Sequence, residues 1–365
     1  MLSHPRDVIE GDLREIVARL GPDVERLAGK TVLITGAAGM LPSYVADTIA
    51  HLNDNHLLSA PARLLLNARA LDSNDGRISH LARRADTRFL VQDVRAPLAL
   101  GEPVHFVVHA ASAASPRSYR ADPVGTLDVN STALRQLLDA TRSTCESFLY
   151  FSSSEVYGDP EPEHIPTPEA YVGRTPFLGG RACYTEAKRF GEALCAAYRE
   201  QYGVPVKIVR PFHVHGPGLR LNDGRIVAAL VEMGLSGAPF VLNSDGRATR
   251  TYGYVSDATV GFLSVLLSEH DGEAFNVGAD EPETSILELA TVVSRLFGRK
   301  EAVGLNAAPS SEHSKGAPVR VRPDLAKIRR LLGYAPSVSL EEGLRRTITW
   351  HQLRSSSSPL PGSRA

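Results

Sequence analysis

Apolar residues along this chain keep two rhythms that take turns. Short apolar runs recur at Thr31–Thr35, Arg63–Asn67, Phe89–Gln92, Val104–His109, Phe148–Phe151 and Val206–Arg210. Each has the length and composition of a buried strand. Between most of them apolar residues return at three- and four-residue spacing, the period of an amphipathic helix, notably over 41–53, 131–142 and 184–202. This alternation predicts an α/β fold, a doubly wound parallel sheet with helices on both faces.

The first residues do not join that alternation. Val8, Ile9, Leu13, Ile16, Val17 and Leu20 form one apolar stripe, which predicts a helical extension over 5–28 packed on the body of the protein. The expected division is an N-terminal extension (1–28), a dinucleotide-binding domain (29–204) and a smaller C-terminal α/β substrate domain (205–352) that returns some strands to the sheet. The Ser/Pro/Gly-rich stretch at 353–365 is expected to be a disordered tail.

Composition narrows the function more than the fold. The 365 residues are 43% hydrophobic and 22% charged, with a formal net charge of -1, so nothing points to nucleic acid or a membrane surface. No apolar run reaches the roughly 18 residues of a membrane span. Cys145, Cys183 and Cys195 are odd in number and without paired spacing. With no signal-peptide pattern, they predict a reducing, cytoplasmic location.

Gly36-Ala-Ala-Gly39-Met-Leu-Pro42 follows the first strand and opens a helix. In a dinucleotide fold the first glycine makes the turn, and the second lets backbone approach a diphosphate at the helix N-terminus. Pro42 stands where a third glycine is expected, so the helix–strand packing must adjust. Asn67 and Arg69 fall where an acid usually holds the adenosine ribose. No carboxylate is there to repel a 2′-phosphate, which leaves NADP open beside NAD. Asp93, after the third strand, is placed for the adenine.

Tyr184 and Lys188 stand four apart and share one helix face. A lysine beside a phenol favours phenolate and predicts a lowered tyrosine pKa, hence a general base. Strand 148–151 runs into Ser152-Ser-Ser-Glu-Val-Tyr-Gly-Asp159, so Ser153 and Glu155 lie beyond its carboxyl end, where ligands bind in such sheets. His213 and His215 have no carboxylate or cysteine partner of metal-ligand spacing, and no metal is expected.

Several passages taken together resemble the extended short-chain dehydrogenase/reductases that act on nucleotide sugars. They are His109-Ala-Ala-Ser-Ala-Ala-Ser-Pro116, Asn130, Ser154-Glu-Val-Tyr-Gly-Asp-Pro160, Arg181-Ala-Cys-Tyr184, Asn222-Asp-Gly-Arg225, Thr249-Arg250, Tyr254-Val-Ser-Asp257 and Leu340-Glu-Glu-Gly-Leu344. The likeness spans about residues 29–350 and is strongest to the UDP-glucuronate decarboxylase (UDP-xylose synthase) branch. It implies a Rossmann-type fold and NAD as cofactor. It implies decarboxylation of a nucleotide-linked uronic acid through C4 oxidation, giving a UDP-4-keto-pentose or UDP-xylose. The same scaffold serves 4,6-dehydratases and 4-epimerases. A cofactor-binding protein without activity is a further reading that the intact Ser153, Tyr184 and Lys188 argue against.

By that resemblance Ser153, Glu155, Tyr184, Lys188 and Arg250 are catalytic. The cofactor is held by Gly36, Ala38, Gly39, Met40, Leu41, Asn67, Arg69, Asp93, Val94, Ala110 and Ala111 together with Tyr184 and Lys188. The nucleotide sugar is held by Ser115, Arg181, His213, Arg225, Arg250, Arg320 and Arg322. Dehydratases carry Asp-Glu where this chain has Ser154-Glu155, and a serine is a poor acid for a departing hydroxyl. His213 stands where the family usually has asparagine, Asn243 where tyrosine is common, and Pro176-Phe177 replaces Asn-Pro. The helices near 131–142 and 184–202 match those that pair in a family homodimer.

Overall fold

The computed structural model describes residues 3–71, 76–306 and 318–357. Seven strands form its main sheet: β1 (Thr31–Thr35), β2 (Arg63–Ala68), β3 (Thr87–Val91), β4 (Phe106–His109), β5 (Ser147–Phe151), β6 (Val206–Pro211) and β7 (Ala274–Val277). Their order is β7-β6-β5-β4-β1-β2-β3, and every neighbouring pair is parallel. This is a Rossmann-type sheet with its switch point between β1 and β4. The outermost strand β7 is absent from the runs read in the sequence.

Because strand side chains alternate, each strand feeds two cores. Val32 and Ile34 of β1 join Leu64 and Leu66 of β2 on one face. That face is covered by α1 (Pro5–Leu20), α2 (Met40–Asp54) and, further on, Val255–Leu267. Leu33, Leu65, Val107, Phe148 and Tyr150 point to the other face, where Leu134, Leu137 and Leu138 meet Cys195 and Tyr198. Those last residues lie on α3 (Leu134–Thr141) and α4 (Ala182–Tyr202); the Val255–Leu267 helix is α5.

Two helix boundaries differ from expectation. The extension is not one helix over 5–28: α1 ends at Leu20, and Gly21-Pro22 begins a tighter turn, Gly21–Leu27. Pro22 cannot continue the hydrogen-bond ladder. The helix expected over 131–142 begins with one widened turn, Val129–Ala133, before α3. The final helix, α6 (Leu340–Ser357), takes in the first residues of the segment expected as a tail; the remainder, 358–365, lies outside the described residues.

The N-terminal helix is bound to the body through buried charge. Asp12 accepts hydrogen bonds from Tyr44 of α2 at 2.7 Å, Tyr254 at 2.8 Å and Arg346 of α6 at 2.9 Å. Arg19 pairs with Asp257 of α5 at 2.5 Å. No described helix is long and apolar enough to cross a membrane.

Candidate active site

The carboxyl ends of β1, β4 and β5 build the site. At the switch point the turn after β1 meets the turn after β4. Gly36 has φ +68°, and a Cβ there would lie 2.7 Å from Ala111 Cα, so only glycine fits. Gly39 is the N-cap of α2 and supplies no side-chain cap. The first-turn N–H groups of Met40 and Leu41 are therefore left for an anion, and Pro42 has none to leave. Ala38 and Met40 are buried against this turn, with Leu41 beside them and Ala110 following β4. An uncapped helix end behind a glycine that tolerates no side chain fits the diphosphate of a dinucleotide.

The adenosine end differs from a plain reading of its residues. The Asn67 side chain donates to Leu90 O at 2.9 Å and Gln92 O at 3.0 Å, which ties β2 to β3. Asp93 is engaged by Arg95 at 2.8–3.0 Å, and these bonds hold its carboxyl below the usual range. Val94 is buried beside it, whereas Arg69 is exposed.

On the catalytic side, β5 leads to Ser153, whose hydroxyl accepts from Glu155 N at 3.2 Å and caps the turn Ser154–Tyr157. The helical repeat of α4 turns Tyr184 and Lys188 to the same strand end, and both are buried. Lys188 Nζ donates to Phe151 O at 2.6 Å and lies 5.9 Å from the Tyr184 ring. The lysine was expected to lower the tyrosine pKa. Instead burial pushes Tyr184 up to about 12, against the Ser153 hydrogen bond that pulls it down. Burial likewise lowers Lys188 to about 7. The lysine's carbonyl bond and its distance from the ring account for the difference.

A cavity of about 50 Å³, which Tyr184 and Lys188 do not themselves line, is bounded by Ser154, Glu155, Gly158, Arg181, His213, Arg250, Pro318 and Val321. One Arg181 nitrogen reaches both Glu155 oxygens, at 2.7 and 2.8 Å. Arg250 is buried and held by the carbonyls of Thr249 at 2.7 Å, Val319 at 3.0 Å and Pro318. His213 is kept neutral, its pKa pushed to about 3 by burial and by Arg250, Arg225 and Arg181.

The other expected substrate residues have internal partners. Ser115 caps the helix Pro116–Ala121. Arg225 pairs with Asp223 at 2.7 Å. Arg320 grips both oxygens of Glu283 at 2.6 and 2.7 Å, and Arg322 donates to Asp280 O at 2.8 Å. His215 turns away from His213 to Thr347, at 3.1 Å.

Two residues here went unread in the sequence. Tyr119 stacks on Tyr184 with ring centroids 5.2 Å apart and an interplanar angle of 14°. Tyr252 meets His213 edge-on at 5.9 Å. The hydroxyls of both tyrosines and His213 Nδ1 are buried without a hydrogen-bond partner among the described residues. Unsatisfied buried polar atoms are uncommon; His213 lines the cavity, Tyr252 is its ring neighbour and Tyr119 that of Tyr184, so these atoms fit a site for a polar ligand. Tyr119 lies only four residues beyond Ser115, a spacing that offered the one available signal.

Comparison with known proteins agrees with this geometry. The model of the NAD dependent epimerase/dehydratase family matches residues 32–278. UDP-glucuronic acid decarboxylase 1 of Xenopus tropicalis is 32% identical over 338 residues, covering 91% of this chain and 76% of that protein. An epimerase from Methanothermobacter thermautotrophicus superposes with a TM-score of 0.79 at 23% identity, over 92% of this chain and 98% of its own. UDP-glucuronic acid 4-epimerase of Bacillus cereus, solved with UDP-glucuronic acid and NAD, superposes with a TM-score of 0.73 at 23% identity, over 89% of this chain and 99% of its own. At that identity the two structures speak for the fold.

Proposed function

The chain belongs to the NAD dependent epimerase/dehydratase family, and on that premise we propose that it decarboxylates UDP-glucuronate through oxidation at C4. Tyr184, as the phenolate, takes the proton of the C4 hydroxyl, and Ser153 aligns that hydroxyl while favouring the phenolate against burial. NAD, when bound, supplies the hydride acceptor at C4. The resulting ketone is β to the C6 carboxylate. The C5–C6 bond then breaks, carbon dioxide leaves, and the electron pair is delocalised onto the C4 oxygen as an enolate. A proton returned to C5 gives UDP-4-keto-pentose; hydride at C4, with the proton returned from Tyr184 to the C4 oxygen, would give UDP-xylose. Glu155 and Arg250 line the cavity where that proton and the carboxylate are handled.

The observation that carries this reading is the make-up of the cavity. It presents Arg181 and Arg250 to an anion, and it offers Ser154 where loss of a hydroxyl would need an acid. The relatives named UDP-glucuronic acid decarboxylase support the same choice. Incubation with UDP-glucuronate, followed by mass spectrometry and carbon dioxide detection, tests it. A loss of 44 mass units, the mass of CO₂, is expected for UDP-xylose, and of 46, CO₂ with two hydrogens, for released UDP-4-keto-pentose; conversion to UDP-galacturonate at unchanged mass would make the protein a 4-epimerase.

A homodimer is part of the proposal. Phe190 on α4 and Val124 and Leu127 on the adjoining helix Pro123–Asp128 are 52%, 66% and 41% exposed, an apolar face suited to a second copy. Sedimentation should show a dimer that Phe190→Glu converts to monomer. The three cysteines are free, as a cytoplasmic protein would keep them.

A further inference from the structure

Arg77 is a buried cation outside the catalytic cavity that the proposed reaction leaves without a role. Its side chain is 2% exposed. The guanidinium lies over the Tyr44 ring at 5.2 Å, and one terminal nitrogen meets Asp47 Oδ2 at 2.7 Å. Both partners are on α2. Asp47 is held in turn by Arg6 of α1 at 3.1 Å and by His80 at 2.7 Å. The other two guanidinium nitrogens, Nε and the second terminal one, are buried with no acceptor among the described residues.

The place those donors face is informative. A Cβ at Gly218 would lie 3.2 Å from Arg77 Nε and 3.8 Å from Met40 Cα, so Nε lies close to the first turn of α2. That turn is the uncapped one behind Gly36 and Gly39. An open helix N-terminus, glycine backbone and a charged fork with idle N–H groups thus converge. Two parallel N–H donors of a guanidinium match two oxygens of one phosphate. Desolvating them without an acceptor is unfavourable, and a phosphate would remove that penalty.

We propose that Arg77 is a phosphate anchor of the dinucleotide site, fixed by Asp47 and, through it, by the N-terminal helix. The proposal rests on the family reading of the glycine turn. The phosphoryl group belongs either to the diphosphate shared by NAD and NADP or to the 2′-phosphate of NADP. No carboxylate at the end of β2 opposes the latter.

Cofactor-stripped protein, wild type and Arg77→Gln, is titrated calorimetrically with NAD⁺ and with NADP⁺. Wild type should bind, and Arg77→Gln should bind about 10- to 100-fold more weakly, the effect of losing charge-assisted hydrogen bonds. Equal weakening for both dinucleotides assigns the diphosphate; weakening for NADP⁺ alone assigns the 2′-phosphate. Unchanged affinity in a folded variant overturns the anchor and leaves the cofactor reading intact. A wild type that binds neither dinucleotide overturns both. Should Arg77→Gln not fold, a crystal structure of the wild-type holoenzyme decides. Arg77 nitrogens within hydrogen-bond distance of a phosphate oxygen support the anchor, and nitrogens turned away from every phosphate overturn it.

Discussion

Tyr184 and Lys188 are both nearly free of solvent, and burial moves their protons in opposite directions. The phenol keeps its proton up to about 12, and the ammonium begins to lose its own near 7. Ser153 is the neighbour that favours phenolate. Replacing Tyr184 with Phe removes the proton acceptor but little volume. Turnover of UDP-glucuronate should fall by about 10²- to 10⁴-fold with the melting temperature nearly unchanged; carbon dioxide release measures it. Buried histidines set the acid limit. His109 and His213 are lowered to about 3 and His215 to about 4, chiefly by burial. The unfolded chain takes up these protons near pH 6.5, and the folded chain does not until pH 4 or below. The stability from each is thus whole above pH 6.5 and is lost as pH falls towards 4. In His215→Asn the slope of unfolding free energy over that window should flatten by about 1 kcal/mol per pH unit, read from urea titrations. The Tyr184/Lys188 pair was legible because helix spacing is local. Tyr119, Tyr252 and Arg77 were not, because their roles rest on contacts that only the folded chain brings together.

Among elements, the approach of α4 to β5 decides where the catalytic pair sits. Gly191 makes that approach possible: a Cβ there would fall 2.1 Å from the Tyr150 hydroxyl. That hydroxyl donates to Asn130 Oδ1 at 2.9 Å, in the widened turn before α3. One methyl group would push helix from strand and disturb a buried hydrogen bond. Gly191→Ala should cost about 1–3 kcal/mol of stability, seen as a lower urea midpoint, and should lower activity through Lys188 one turn away. Most sheet strands were legible from short apolar runs. The edge strand β7 was not, since Ala274–Val277 is only four residues long, one of them Asn276, and gains its place by pairing with β6. The Asn67 amide has a task that its position in the sequence did not show. Its position suggested a ribose contact, yet the neighbouring strand claims its N–H groups.

For the whole molecule, the N-terminal helix acts as a clasp. Asp12 gathers groups from α2, from the turn before α5 and from α6. Arg346 also pairs with Glu15 at 2.7 Å and Glu342 at 2.9 Å. Asp12→Ala would leave the buried Tyr44 and Tyr254 hydroxyls without their acceptor, while Arg346 keeps Glu15 and Glu342. A loss of about 2–4 kcal/mol in unfolding free energy is expected from chemical denaturation, with trypsin cutting first near α1. The apolar stripe of the extension was readable, but its partners were not, because a stripe says that a face is covered and not by what.

That clasp joins residues 334 positions apart. At ordinary translation speeds roughly 20–70 s separate the synthesis of its two halves. Through that interval Val8, Ile9, Leu13 and Ile16 have no finished surface to lie on. The newborn chain therefore carries that apolar stripe only partly covered, by α2 and α5, until its last helix is made, which makes it a natural handle for chaperones. It also makes truncation of α6 a route to aggregation, even though every strand of the sheet would already be present.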